Sequence, residues 1–117
     1  MRNNHYITYI LDLLSPLGGI KVRKMFGGYG IYKDSVFFAL IIDDTLYFKV
    51  GDNNRAAYQA NDSKPFSYEK NNKTVSLSYW QVPADILEDS HRLVQWVNEA
   101  VKAAKQTRKK HIKSHSL

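Results

Sequence analysis

Residue types that commonly perform catalysis or bind metals are few and scattered along this chain. The 117 residues include no cysteine, which excludes disulfides, thiolate metal ligands and cysteine nucleophiles. None of the four histidines lies in a motif typical of a catalytic triad, and His111 and His115, four residues apart, lack the third ligand that a good metal site needs. Asp43 and Asp44 occupy a predicted hairpin turn, where adjacent side chains point apart. We therefore expect a non-enzymatic protein without a bound metal or cofactor.

A glycine-rich segment, Gly27-Gly28-Tyr29-Gly30, resembles a phosphate-binding loop in composition. Such loops cradle phosphates with backbone N–H groups where they precede a helix. Here the glycines precede a predicted strand, and the spacing matches neither the Rossmann fingerprint nor the P-loop. We interpret the glycines as a tight bend or bulge that requires positive φ angles.

Aromatic side chains interleaved with lysines can bind single-stranded nucleic acid by base stacking, provided that the rings are exposed. The alternation of the strands instead predicts that most of the rings point toward covering helices and join the core. Tyr32 and Tyr47 are the expected exceptions, since they lie opposite to Ile31 and Phe48. The rings considered are Tyr29, Tyr32, Phe37, Phe38, Tyr47, Phe48, Phe66, Tyr68, Tyr79 and Trp80. We place a candidate ligand or partner patch at Lys24, Met25, Tyr32, Tyr47, Tyr79 and Trp80.

The net charge of +6 is concentrated at the C-terminal end. Residues 1–101 contain eleven basic and eleven acidic residues, so this part of the chain sums to zero. A basic tail can contact DNA or another polyanion, although cations also accumulate at helix C-termini because the macrodipole favours them there. The candidate polyanion contacts are Lys102, Lys105, Arg108, Lys109, Lys110 and Lys113.

The elements that must position these residues are organised around a continuous apolar run at 36–42, which predicts a strand covered on both faces. Turn residues on either side join it to strands at 29–32 and 45–50, giving an antiparallel meander. A short first strand is predicted at 20–23. A second hairpin follows at 66–79, with its reversal at 70–73 and a Ser/Thr-rich face toward water or a partner.

Helical periodicity is found in four other segments. An amphipathic helix is predicted over 4–15, a short helix over 53–60 with Asp52 as its N-cap, and a helical turn over 84–87. The closing helix begins after Asp89 or Ser90, and its apolar stripe ends near Lys105. The order α-β(4)-α-β(2)-α(2) predicts an α+β fold with a mostly antiparallel sheet. We expect one domain over 1–104 and a basic, mobile tail over 105–117.

Several motifs resemble the N-terminal domain of the TfoX/Sxy family, in order and spacing as well as residue type. The first is Arg23-Lys24-Met25-Phe26-Gly27-Gly28-Tyr29-Gly30, followed by Phe38-Ala39-Leu40 and Leu46-Tyr47. Downstream matches are Lys64-Pro65-Phe66-Ser67-Tyr68 and Ser78-Tyr79-Trp80-Gln81-Val82-Pro83. With the closing helix, the resemblance covers roughly residues 5–104.

The resemblance implies a compact domain similar in outline to secretion-chaperone-like folds. It also implies a positive regulator of competence genes, working with a cyclic-AMP-receptor-type activator rather than as an enzyme. Full-length regulators of this kind carry a second, C-terminal domain of similar size, so we expect a stand-alone copy of the N-terminal domain.

The leading hypothesis is a cytoplasmic regulatory or adaptor domain that binds a protein partner, such as a transcription regulator, and contacts DNA through its basic tail. No membrane span is expected, because no apolar stretch approaches the roughly 20 residues that a span requires. Two alternatives stay open: a small-molecule-binding or catalytic domain with a pocket near Lys24 and Trp80, and a dimeric chaperone-like protein. A homodimer is compatible with each.

Overall fold

A computed structural model of the chain describes residues 5–25 and 27–115, and the side chains as far as residue 108. Its order of elements confirms the predicted α+β class and the predicted succession of helices and strands. The helices are α1 (His5–Leu14), α2 (Arg55–Ala60), α3 (Ala84–Leu87) and α4 (Ser90–His115). The strands are β1 (Ile20–Met25), β2 (Gly28–Lys33), β3 (Val36–Ile42), β4 (Thr45–Lys49), β5 (Pro65–Lys70) and β6 (Lys73–Gln81).

The six strands form one antiparallel sheet in the order β1-β2-β3-β4-β6-β5. Three of its hairpins turn through two residues that both have positive φ angles, as in type I′ turns: Asp34-Ser35, Asp43-Asp44 and Asn71-Asn72. Asp and Asn tolerate this left-handed region because their short polar side chains can bond the local backbone. The turn residues identified in the sequence therefore fix the register of the meander.

A bulge in β3 sets which side chains point to each face of the sheet. Ala39 pairs with Ile31 while Phe37 pairs with Tyr32, so Phe38 is the extra residue opposite β2. Phe38 and Ala39 are both fully buried. Cross-strand partners share a face; Ile31, Ala39 and Phe48 therefore lie on one face, which we call the covered face.

The helices bury their apolar stripes against the covered face. Ile7, Ile10 and Leu14 of α1 lie one helical turn apart and are buried in the same cluster as the sheet residues. Helix α4 contributes Leu93, Val97 and Ala100 to that cluster. The result is a two-layer fold in which one core lies between the helices and the sheet.

The N-cap of α4 was predicted correctly from the sequence, and that of α2 was not. Asp89 caps α4 as predicted, because its Oδ1 accepts hydrogen bonds from the backbone N–H groups of His91 and Arg92, at 3.1 and 3.2 Å. Asp52 was expected to cap α2, which is wrong: the N-cap position is Asn54, and Asp52 pairs with Arg55 at 2.9 Å.

Helix α4 continues to His115, ten residues beyond the point where the apolar stripe ends in the sequence. Ala103 and Ala104 are buried, with 1% and 9% of their surfaces exposed. Helix α4 thus still packs against the rest of the protein after residue 101. Mobility of the segment after residue 104 stays a prediction.

Candidate binding face of the sheet

The second face of the sheet, which we call the open face, carries several large side chains on neighbouring strands. Strand pairing places Tyr32 beside Phe37 and Leu40 beside Tyr47. Leu40 also pairs with Gly30, and Tyr79 pairs with Lys49. Because paired residues share a face, these side chains all point away from the covered face.

Two groups of aromatic rings lie on this surface. Ring centroids of Tyr32 and Phe37 are 5.2 Å apart, and those of Phe37 and Tyr79 are 5.6 Å apart. We call these three residues the aromatic row. A second group runs from Tyr47 to Phe66 at 5.4 Å and on to Tyr68 at 6.2 Å. These distances are typical of tilted and edge-to-face aromatic contacts.

The open face is separate from the hydrophobic core. The buried cluster and the partly buried side chains packed against it include Tyr29, Phe38, Phe48 and Trp80, but none of the open-face rings. The open-face rings are half-buried by one another, except for Tyr68, which is exposed. The chain therefore builds two apolar surfaces on one sheet: the helices cover one of them, and only the end of α4 reaches the other.

Glycines make two close approaches in the sheet possible. At Gly30, a Cβ atom would lie 2.8 Å from the Phe37 ring and 2.9 Å from the Met25 methyl, so the missing side chain lets both lie across the open face. At Gly28, a Cβ would lie 2.0 Å from the carbonyl oxygen of Ile41. The predicted positive φ is found at Gly27 (64°), whereas Gly28 is required by the close approach of β3.

Lys49 is the half-buried cation of the open face. Its Nζ lies 5.2 Å from the centroid of the Tyr79 ring and donates a hydrogen bond to Ser78 Oγ. Burial lowers the pKa of Lys49, because desolvation disfavours its charged form. Burial also raises the pKa of Tyr79, to about 12, so the phenol stays neutral at physiological pH.

The end of α4 meets the aromatic row at a groove of about 340 Å³. Its walls include Phe37, Lys49 and Tyr79 from the sheet and Thr107 and Arg108 from the helix. Arg108 thereby brings a second cation to the groove, 59 residues along the chain from Lys49. The residues lining the groove include no carboxylate.

The six residues of the patch predicted from the sequence lie on two different faces of the sheet. Met25, Tyr32, Tyr47 and Tyr79 lie on the open face, as the pairing partners of Gly28, Phe37, Leu40 and Lys49. Trp80 and Lys24 lie on the covered face, paired with Phe48 and Tyr29.

Trp80 packs against Tyr58, 6.2 Å away by ring centroids, and β1 and β6 are separated by three strands. Lys24 and Trp80 therefore do not share a pocket.

The expectation that most strand aromatics join the core is wrong. The covered face holds Tyr29, Phe38, Phe48 and Trp80. The open face holds Tyr32, Phe37, Tyr47, Phe66, Tyr68 and Tyr79. Tyr32 and Tyr47 do lie opposite to Ile31 and Phe48, as predicted. Phe37, Phe66 and Arg108 are absent from the patch predicted from the sequence. Alternation with Phe38 was the signal for Phe37, and Arg108 was predicted as a polyanion contact without a signal that it lies near the sheet.

The three basic candidates with described side chains, Lys102, Lys105 and Arg108, are all exposed. Arg108 lies on the side of α4 that faces the groove, together with Ala104 and Thr107. The other proposed polyanion contacts, Lys109, Lys110 and Lys113, have side chains outside the described residues, as do His111 and His115.

The described part of the chain offers neither a metal-binding cluster nor a membrane-spanning helix. Among the described residues, no group of three or more His, Cys, Asp or Glu side chains could hold a metal ion. Among the helices described, none is long and apolar enough to cross a membrane.

A model of the TfoX N-terminal domain matches residues 12–104. The chain belongs to the TfoX N-terminal domain family. The match begins within α1 and ends at Ala104, so it includes every strand and the part of α4 that packs on the sheet.

Two named proteins are similar to this chain at modest identity. Protein Sxy of Escherichia coli strain K12 is 27% identical over 93 residues, which is 80% of this chain and 44% of Sxy. DNA transformation protein TfoX1 of Aliivibrio fischeri is 24% identical over 105 residues, or 90% of this chain and 50% of TfoX1. The chain thus spans about half the length of these relatives.

Proposed function

We propose that this TfoX-type domain is a non-enzymatic regulatory module that binds a macromolecular partner through the open face of its sheet. The observation that most supports this is the presence of a second apolar surface, which lies outside the core that the helices form with the sheet. Large uncovered apolar surfaces on folded domains commonly mark interaction sites. Aromatic residues are also enriched at such sites, because each ring provides a large contact area.

The regulatory part of the proposal draws on the relatives. One of them is a DNA transformation protein by name, and the family is named for regulators of natural competence. A regulator that performs no chemistry acts by bringing macromolecules together, and transcription is the process we propose. The exposed Lys102 and Lys105 on α4 offer an additional, electrostatic contact to DNA.

Site-specific photo-crosslinking tests this proposal. A photoreactive phenylalanine analogue is placed at Tyr32 or Tyr47 on the open face, and at Tyr9 as the matched control. Tyr9 is an exposed aromatic residue of α1, in the helical layer. We expect covalent adducts in living cells from the open-face positions and not from Tyr9. Adducts from Tyr9 alone, or none from the open face, would contradict the proposal.

A further inference from the structure

The open face carries cations, and no carboxylate lies among its paired strand residues. Strand pairing places Lys21 beside Tyr32, Arg23 beside Gly30 and Lys49 beside Tyr79. The carboxylates of Asp34, Asp43 and Asp44 belong to the hairpin turns at the two ends of the meander. The open face therefore presents positive charge at the edge strand β1 and at the end of β4, with no carboxylate among the described strand residues paired on that face.

Lys49 is poised to bind an anion from outside. The ion pairs found among the described side chains involve Lys33, Arg55 and Arg92, and not Lys49. An ammonium has three donor hydrogens, and Ser78 accepts one of them. Lys49 and Arg108 both line the groove at the end of the aromatic row, so an anionic group seated there would meet two cations.

Aromatic rings beside these cations supply the second feature of a nucleic-acid platform. Tyr32 and Phe37 lie in adjacent strands with half-buried rings, which leaves part of each ring accessible. Sheets that bind single strands stack successive bases on such rings and bind the phosphates through nearby cations.

We infer that the open face binds single-stranded nucleic acid, with bases stacked on Tyr32 and Phe37 and a phosphate held in the groove by Lys49 and Arg108. This inference rests on the proposed function, since it names the partner of the same face. A duplex fits less well, because its base faces are hidden inside the stack.

Other occupants use only part of the surface. An acidic protein segment would pair with the cations but has no general need for the aromatic row. A second copy of this chain, docked face to face, would oppose Lys21, Arg23 and Lys49 to a partner surface of the same charge.

The test is fluorescence anisotropy of the whole chain with labelled oligonucleotides of about 15 nucleotides. The probes are a single-stranded oligo-dT, the matching oligo-U, a duplex of equal length and an oligo-glutamate peptide. Titrations are run at about 50 and about 200 mM salt, because phosphate contacts weaken steeply over that range. We expect both single strands to bind more tightly than the duplex, and the peptide to bind weakly.

Variants assign binding to the open face. Tyr32→Leu and Phe37→Leu keep apolar volume but remove the ring, and each should weaken single-strand binding by about 5-fold or more. Lys49→Gln should reduce the salt slope by about one. Tyr9→Leu, on the helical layer, is the matched control and should bind as wild type does. Far-ultraviolet circular dichroism confirms that each variant is folded.

Three results would overturn the inference. Equal binding of duplex and single strand that survives both Leu substitutions but disappears in Lys102→Gln/Lys105→Gln would assign binding to the basic end of α4. Binding of oligo-glutamate alone, lost in Lys49→Gln, would assign the face to an acidic protein. Absence of any nucleic-acid binding, together with open-face crosslinks to a protein, would reject this inference and leave the proposed function standing.

Discussion

The rings of Phe37 and Tyr79 meet with centroids 5.6 Å apart, although strand β4 lies between their strands in the sheet. The contact is made at the end of β4, beside Lys49, where the two large side chains converge. It completes the aromatic row and places it against the groove under α4. A surface assembled from three strands and a helix is rigid enough to present a fixed site.

Replacing a phenylalanine of β3 by alanine should destabilise the protein more on the covered face than on the open face. Phe38→Ala removes a fully buried ring from the core and should lower the free energy of unfolding by about 3–5 kcal/mol. Phe37→Ala removes a half-buried ring from the open face and should cost less than about 2 kcal/mol. Urea unfolding of the two neighbouring variants provides the comparison. Equal losses would mean that the open face is part of the core.

Asn54 should be indispensable for the junction between β4 and α2. Its amide nitrogen donates to the carbonyl of Lys49 at 3.0 Å, and its Oδ1 accepts from the N–H of Gly51 at 2.7 Å. Asn54→Ala removes the side-chain partner of both partly buried backbone groups and should destabilise the fold by about 1–3 kcal/mol.

The matched control for Asn54 is Asn98→Ala on an exposed position of α4, which should change stability by less than about 0.5 kcal/mol. Thermal unfolding of both variants measures the difference. A loss at Asn54 no greater than that at Asn98 would show that the junction does not depend on this amide.

Replacing Tyr58 by phenylalanine should stabilise the fold. Its ring is 1% exposed and packs 4.5 Å from Trp96 by centroids, but its hydroxyl has no hydrogen-bond partner among the described residues. Tyr58→Phe keeps the ring and removes a buried polar group, so it should raise the free energy of unfolding by about 1 kcal/mol. Chemical unfolding near neutral pH measures it. Destabilisation by a similar amount would reveal a hydrogen bond to the hydroxyl.

Alkaline pH should destabilise the protein through its buried phenols. Burial raises the pKa of Tyr79 from its usual value of 10.0 to about 12 in the folded protein. Between these values the unfolded chain has released a proton that the folded protein still holds, so stability falls as pH rises.

Tyr79→Phe should therefore lose less stability than wild type between about pH 9 and pH 11, by about 1 kcal/mol. Urea unfolding at the two pH values measures this, and lysine titrations common to both proteins cancel in the difference. Identical losses in the two proteins would contradict the burial of this phenol.

Local signals in the sequence predicted the meander well, whereas the candidate site depended on features that are not local. Turn residues such as Asp43-Asp44 and the apolar run at 36–42 specify strands and register directly. The covered face could not be assigned correctly from alternation alone. Phe37 and Phe38 are equally aromatic, and only the packing of the helices decides which of them is buried.

The position of Arg108 at the groove also could not be predicted from the sequence. Its contribution to the groove depends on α4 continuing past the apolar stripe and on Ala103 packing close to Gly51. Helix length after Lys105 has no signal in hydrophobic periodicity. Contacts between residues so far apart in sequence follow from tertiary packing.

Transcript profiling in the organism that carries this gene tests most directly whether the domain acts through its open face, as proposed. A strain lacking the gene is complemented with wild type, with the open-face variant Tyr32→Leu/Phe37→Leu, or with the helical-layer variant Tyr9→Leu, at equal protein levels. We expect the open-face variant to give the transcript profile of the deletion strain and Tyr9→Leu to give that of wild type. A wild-type profile from the open-face variant would show that the open face is not needed for regulation.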